Sequence, residues 1–320
     1  MPHPTHQCWV LSDGAAGNEK QALALAHALG FQPRMFKLAT RVPWRWFAPR
    51  LLPGAQHAFG VEFSKALTGP WPQLAIGCGR QAALATRCIR RECNGAARTV
   101  QILDPRIDPA HFDLVIAPRH DQLVGPNVVQ TLGALNVIDE DFLTAARQRF
   151  SHLQHLPAPR TVLLLGGPTR AFTLDQNGWN SLATTLETLV RRESGSLSLA
   201  ASRRTPPWLR EAARTRFETL PGLRWLDSTD GENPYDGLLA WADRIIVTPD
   251  SVNMPSEAAA TTTPLFAWQP HTVRGKLTGF LAELAQRDRL RALDEEAAPW
   301  PVQPLRDMPQ VVARVREMLR

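Results

Sequence analysis

Along the chain, short apolar runs of four or five residues alternate with longer stretches whose apolar positions recur at helical spacing. The runs at 7–11, 73–76, 99–103, 114–117, 161–165, 196–200, 223–226, 244–247 and 264–268 predict strands. The stretches at 19–29, 81–91, 142–156, 178–192, 208–217, 235–242, 277–287 and 308–319 predict helices. Strands this short and this uniformly apolar, with helices between them, belong to parallel sheets covered on both faces. Pro157-Ala158-Pro159 interrupts the rhythm, which then restarts. The expected fold is therefore α/β, with two Rossmann-like domains: residues 1–157, residues 158–285, and a helical tail, 286–320, packing back toward the first domain.

Composition changes this picture little. A chain of 320 residues exceeds one ordinary domain, and 44% hydrophobic residues is a globular value. No apolar run reaches the ~20 residues of a membrane span. Residues 1–7 carry neither the basic nor the apolar region of a signal peptide, so a cytoplasmic protein is expected. Four cysteines, Cys8, Cys78, Cys88 and Cys93, match no zinc spacing and read as buried thiols.

Charge is more informative. The formal net charge is +6, and residues 1–150 hold 16 basic against 11 acidic residues. That excess suits a phosphorylated substrate or an anionic membrane surface. No nucleic-acid module accompanies it, so no nucleic-acid partner is expected. Residues 41–53 set arginines among Trp44, Trp46 and Phe47 between prolines, a composition that suits either a headgroup interface or a loop packed on its own domain.

The candidate chemistry sits where predicted strands end. After the first, Gly14 and Gly17 let backbone approach a ligand, Asp13 occupies the place of a general base, and Asn18 serves as a helix cap in the plainer reading. Asp104-Pro105-Arg106 and Arg119-His120-Asp121 end two adjacent strands, with His120 a second acid/base candidate. In the second half, Gly166 and Gly167 keep side chains off a bound phosphate and Thr169 offers a hydroxyl. Arg203 offers a guanidinium fork. Only four lysines occur, which singles out Lys276 as an anchor for substrate or phosphate. The strongest local signal is 248–257. Ser251 and the amides near Asn253 and Met254 suit a diphosphate at a helix start, and Glu257 suits the two hydroxyls of a ribose. A Ser256 cap with Glu257 in the first helical turn accounts for the same residues structurally.

Six ordered motifs carry a resemblance across nearly the whole chain. They are Ser-Asp-Gly-x-x-Gly-Asn (12–18), Ile-Leu-Asp-Pro-Arg (102–106), Ala-Pro-Arg-His-Asp (117–121), Gly-Gly-Pro-Thr (166–169), Ser-Arg-Arg-Thr-Pro (202–206) and Thr-Pro-Asp-Ser-x-x-Met-x-Ser-Glu-Ala (248–258). Together they resemble the plant mitochondrial-fission "elongated mitochondria" family and its bacterial relatives. The resemblance implies a GT-B-like architecture, two Rossmann-like domains facing a cleft. It also implies glycosyltransferase activity, which in bacterial members is linked to outer-core lipooligosaccharide synthesis, a branch of lipopolysaccharide biosynthesis. The sugar donor, a nucleotide-diphosphate sugar, would lie on the second domain. A lipid-linked or cell-envelope saccharide acceptor would lie on the first, met peripherally at the inner membrane. Asn18 stands where the wider peptidoglycan-type transferases carry a histidine. An inverting, metal-independent reaction is expected, with neither metal nor cofactor. Two other functions fit the same family: a nucleotide-sugar 2-epimerase, and a non-catalytic adaptor such as the plant relatives that recruit a dynamin-like protein.

Overall fold

The computed structural model describes residues 5–320; residues 1–4 of the N-terminal stretch considered above lie outside them. It forms two compact units, Met1–Val137 with Asp307–Arg320, and Ile138–Arg306. The first runs β1 (Thr5–Ser12), α1 (Ala16–Ala28), β2 (Pro33–Lys37), α2 (Trp44–Phe47), α3 (Val61–Ala66), β3 (Pro72–Cys78), α4 (Arg80–Glu92), β4 (Arg98–Ile102), β5 (Leu114–Pro118) and β6 (Val128–Thr131). Its strands pair in parallel in the order β2-β1-β3-β4-β5-β6.

The second unit runs α5 (Glu140–Arg149), β7 (Arg160–Leu165), α6 (Gln176–Glu193), β8 (Ser196–Ala201), α7 (Pro207–Arg216), β9 (Arg224–Trp225), α8 (Tyr235–Trp241), β10 (Arg244–Val247), α9 (Asn253–Ala259), β11 (Leu265–Ala267), α10 (Lys276–Gln286) and β12 (Arg291–Ala292). Its order is β12-β11-β10-β7-β8-β9, again parallel throughout. The last helix, α11 (Met308–Leu319), belongs to the first unit and buries Val311 and Val315 in the same core as Val10 and Leu25.

The expected α/β class and the paired Rossmann-like sheets are what the chain forms. Central strands such as β7 and β10 are buried on both faces, which is why they read as unbroken apolar runs. The edge strands β2, β6 and β12 escaped the pattern because only one face is covered or the strand is very short.

The unit boundary falls earlier than residue 157. The helix expected over 142–156 ends at Arg149 and packs on α8, where Gly237 lets Phe150 in; a Cβ there would lie 2.4 Å from the Phe150 Cβ. Residues 286–306 do not form a helical tail. They supply β12, and Trp300 meets Phe266 edge-on at 5.1 Å, holding the segment on the second unit.

One buried cation organises that edge. Arg289 is 1% exposed and donates to the carbonyls of Ala258, Ala259, Thr261 and Thr263, each at 2.9 Å. These carbonyls lie at and just beyond the C-terminus of α9, where a positive charge also suits the helix dipole. Burial lowers the guanidinium to about 10, so it remains charged at neutral pH. Replacing it leaves several buried acceptors unsatisfied. Arg289→Leu is expected to cost about 3 kcal/mol or more, read as a lower denaturant midpoint with an unchanged slope.

Candidate functional site

In each sheet the strand order reverses once, between β1 and β3 in the first unit and between β10 and β7 in the second. Open α/β sheets bind ligands beyond the carboxyl ends of the strands at such a reversal. Each unit therefore has one natural site.

In the second unit, three strand-end turns are locked together around Asp250. Its carboxylate is buried. It accepts from the Thr248 hydroxyl at 2.9 Å, from the Gly167 N–H at 3.4 Å and from the Arg204 guanidinium at 2.7 Å. The Thr248 hydroxyl in turn accepts from the Gly166 N–H at 2.7 Å. Thr205 donates to the Leu165 and Gly166 carbonyls at 2.8 and 2.9 Å, tying the turn after β8 to the turn after β7. The glycines make this packing available. A Cβ on Gly166 would lie 1.7 Å from the Asp250 Oδ1, and one on Gly167 would lie 2.1 Å from the Arg204 carbonyl oxygen.

The double glycine thus has a different physical reason from the one expected. It clears space for an internal carboxylate and a neighbouring main chain, and both glycine amides are bonded within the protein. Thr169 is likewise engaged: its hydroxyl accepts from the Ala171 and Phe172 amides at 3.2 Å and closes its own turn. Burial raises the Asp250 carboxyl above its ordinary value, against the pull of Thr248, Arg204 and the Gly167 amide.

Beside this network lies a cavity of about 390 Å³. Gly166, Gly167, Thr248 and Asp250 form one side, and Phe172, Leu174 and Trp208 are among its apolar walls. Arg204 stands next to it with a half-exposed guanidinium. Arg203 is exposed, and its carbonyl accepts from Arg210 at 3.2 Å.

The 248–257 signal resolves into a turn and the seven-residue α9, which begins at Asn253. Ser256 is not its cap; the Ser256 hydroxyl donates back to the Val252 carbonyl at 2.7 Å. Ser251, Asn253 and Met254 are half-buried at the start of the helix. Glu257 accepts from the hydroxyl of Tyr235, the chain's single tyrosine, at 2.5 Å. Burial and the Glu257 charge push the Tyr235 phenol well above its ordinary value, so it stays a proton donor. Lys276 is exposed at the first turn of α10, on a segment bound to the turn after β7 through the Arg274 N–H and the Ala171 carbonyl at 3.0 Å.

In the first unit, Asp13 and Asn18 meet at the reversal. Asn18 lies inside α1 rather than capping it, and its Nδ2 donates to Asp13 Oδ1 at 3.2 Å; the Ala15 N–H adds a bond at 3.1 Å. Gly79, at the end of β3, is required there, because a Cβ would come within 2.6 Å of Asn18 Nδ2 and its φ is +86°. Gly14 adopts φ +83° and stands open to solvent, and Gly17 sits in the first turn of α1.

Arg106 and Arg119 are exposed at the ends of β4 and β5, and His120 lies in the short turn after β5. In sheet order β5 is three strands from β1, about 14 Å at the usual strand spacing, so Asp13 and His120 are two separate candidates and not a pair. All four cysteines are buried and free, and burial pushes Cys8 and Cys88 up to about 12.

The sequence motifs contain Asp250 without a role for it, offer Arg203 and Arg204 alike as a guanidinium fork, and give no role to Tyr235 or Trp208. A carboxylate following an apolar strand, opposite a double glycine on another strand, was the available signal.

Residues 16–319 match the profile of a family described as Mitochondrial fission ELM1. The mitochondrial fission protein ELM1 of Arabidopsis thaliana is 29% identical over 277 residues, covering 78% of this chain and 64% of that protein. The chain thus spans under two thirds of that relative's length. Among solved structures, a UDP-glucosyltransferase from Polygonum tinctorium aligns with TM-score 0.55 at 11% identity, covering 100% of this chain and 94% of that one. A UDP-GlcNAc 2-epimerase from Neisseria meningitidis, bound to UDP-GlcNAc, aligns with TM-score 0.52 at 11% identity, covering 98% of each. At such identities the likeness shows the GT-B-like fold.

The packing of Gly166 against Asp250 generates a coupling test. Gly166→Ala alone is expected to cost about 3 kcal/mol through overpacking. In an Asp250→Ala background the obstructing atoms are gone, and a double-mutant cycle is expected to recover about 2 kcal/mol of that. The pH dependence has a definite sign. Because the folded carboxyl is raised above 3.8, the native state holds the proton more tightly. Stability of the wild type relative to Asp250→Asn should therefore fall as pH rises from 3.8 through the raised value, and level off above it.

Proposed function

The chain belongs to the mitochondrial fission ELM1 family, and from that premise we propose that it is an inverting, metal-independent glycosyltransferase using a nucleotide-diphosphate sugar. The observation that carries this reading is the cavity beside Gly166, Gly167, Thr248 and Asp250, next to the order reversal of the second sheet. Its volume, apolar walls and few polar groups are those of a small-molecule site.

In this reading the sugar donor binds the second unit. Glu257, held by the Tyr235 hydroxyl, accepts from the two ribose hydroxyls. The diphosphate is met by Arg204, whose guanidinium is anchored on Asp250 and still half exposed, with Arg203, Lys276, the Ser251 hydroxyl and the amides of Asn253 and Met254 in support. The fixed positive charge stabilises the diphosphate as it departs, the part a metal plays in other transferases. The acceptor binds the first unit, where Arg106 and Arg119 present cations and Asn18 orients Asp13. An acceptor hydroxyl oxygen bonds to the anomeric carbon and its proton passes to Asp13. The bond from that carbon to the diphosphate oxygen breaks, and the leaving group keeps the electron pair. His120 is the second candidate for the proton. The acceptor class is a lipid-linked or cell-envelope saccharide at an anionic membrane surface, placing the protein peripherally at the membrane in lipopolysaccharide assembly. Among the described residues no helix is long and apolar enough to cross a membrane.

A panel of nucleotides and nucleotide sugars screened by thermal shift tests the donor half. UDP or another nucleoside diphosphate at 100 times its Kd should add about 2.7 kcal/mol of apparent stability. Glu257→Gln should weaken that binding by about tenfold, as loss of a charged hydrogen-bond acceptor implies. If no nucleotide shifts the melting temperature, the proposal fails. Asp13→Asn should lower turnover by ~10²–10⁴ while leaving nucleotide affinity intact. Product formed from the sugar donor without any acceptor would indicate a 2-epimerase instead.

A further inference from the structure

The arginine- and aromatic-rich stretch is built as a fixed prominence. Beneath it, α4 sends two guanidiniums to its main chain: Arg80 donates to the Ala48 and Arg45 carbonyls at 3.3 Å each, and Arg87 donates to the Pro49 carbonyl at 2.7 Å. Trp44 packs on the core and donates its indole N–H to the Pro53 carbonyl at 3.1 Å. With the backbone so held, Trp46 is 69% exposed and Phe47 48%, and Val42 and Val61 also stand out in water. Large apolar side chains on a braced loop do nothing for the unit's own core.

Beside them lies a second cavity of about 340 Å³, lined by Arg41, His57, Gly60, Val61, Ser64, Lys65 and Thr68. Its charged groups are cations, and no carboxylate lines it. Residues 31–72 contain six lysines and arginines and a single acid, Glu62, which is bound to Arg34 at 3.1 Å. The region therefore holds most of the chain's net positive charge, next to its exposed aromatics.

We propose that this face of the first unit docks on an anionic bilayer. Trp46, Phe47, Val42 and Val61 enter the headgroup layer, and the Arg41–His57–Lys65 cavity takes one phosphate-bearing lipid headgroup. Charge complementarity and interfacial aromatics act together here, as peripheral membrane binding requires. The inference rests on the reading that the acceptor is membrane-borne, and it names the surface through which that acceptor is reached.

Co-sedimentation of the full chain with extruded vesicles tests it. Vesicles of equal parts phosphatidylcholine and phosphatidylglycerol should retain the protein, and pure phosphatidylcholine should not. Trp46→Ser with Phe47→Ser should weaken retention by about tenfold or more. Arg41→Ser with Lys65→Ser should do the same, in keeping with the contribution of each basic residue near a charged surface. All four side chains are exposed, so neither pair should alter the melting temperature or its shift with nucleotide. Equal retention on both vesicle types, or none on either, overturns the proposal. Stabilisation by inorganic phosphate without vesicle binding would mark a free-phosphate site and overturn it too. A nucleotide shift that survives while vesicle binding is absent removes the docking face alone. Loss of the nucleotide shift instead removes the donor reading.

Discussion

The carboxylate of Asp250 is the constraint on which the second unit's site depends. It is buried with a partner on each of three strand-end turns, and it fits only because Gly166 has no side chain. Desolvating a charge is costly, and here hydrogen bonds and one guanidinium offset part of the cost. The return is geometric. The turns after β7, β8 and β10 cannot move independently, so the cavity beside them has fixed walls. Arg204 is held at one end and free at the other, which is how a protein prepares positive charge for an anion before the anion arrives.

The first unit applies the same logic with other residues. Gly79 opens room for Asn18, which orients Asp13, much as Gly166 opens room for Asp250. In the second sheet the glycine admits the carboxylate itself; in the first it admits the amide that holds the carboxylate. The two carboxylates differ in setting. Asp250 is buried and ion-paired, suited to holding structure. Asp13 is only partly buried, with hydrogen-bond donors on one side, in keeping with the base role proposed for it.

Much of the fold was legible because doubly covered strands must be apolar throughout, so β7, β8 and β10 announced themselves. The edge strands β2 and β12 did not, since half-covered or two-residue strands leave no such run. The unit boundary was misplaced for a related reason. Pro157-Ala158-Pro159 looks like a linker, but the α5 contact with α8 depends on Gly237 admitting Phe150, a tertiary fit without local signature. At the site, positions were easier than roles. The double glycine and Asp13 lie just beyond strand ends, and Glu257 lies in the helix that follows one, as expected. Yet the glycines serve Asp250, Thr169 serves its own turn, and Glu257 answers to Tyr235 from twenty-two residues away. The aromatic stretch divides between its two readings: Trp44 belongs to the core, while Trp46 and Phe47 do not.

In the function proposed, a nucleoside diphosphate occupies the strand ends of the second unit. A crystal structure of the chain with UDP tests it most directly. The ribose hydroxyls are predicted on Glu257 and the diphosphate against the Arg204 guanidinium. UDP bound away from the carboxyl ends of β7 and β10, or no bound nucleotide at saturating concentration, would rule out donor binding at this site.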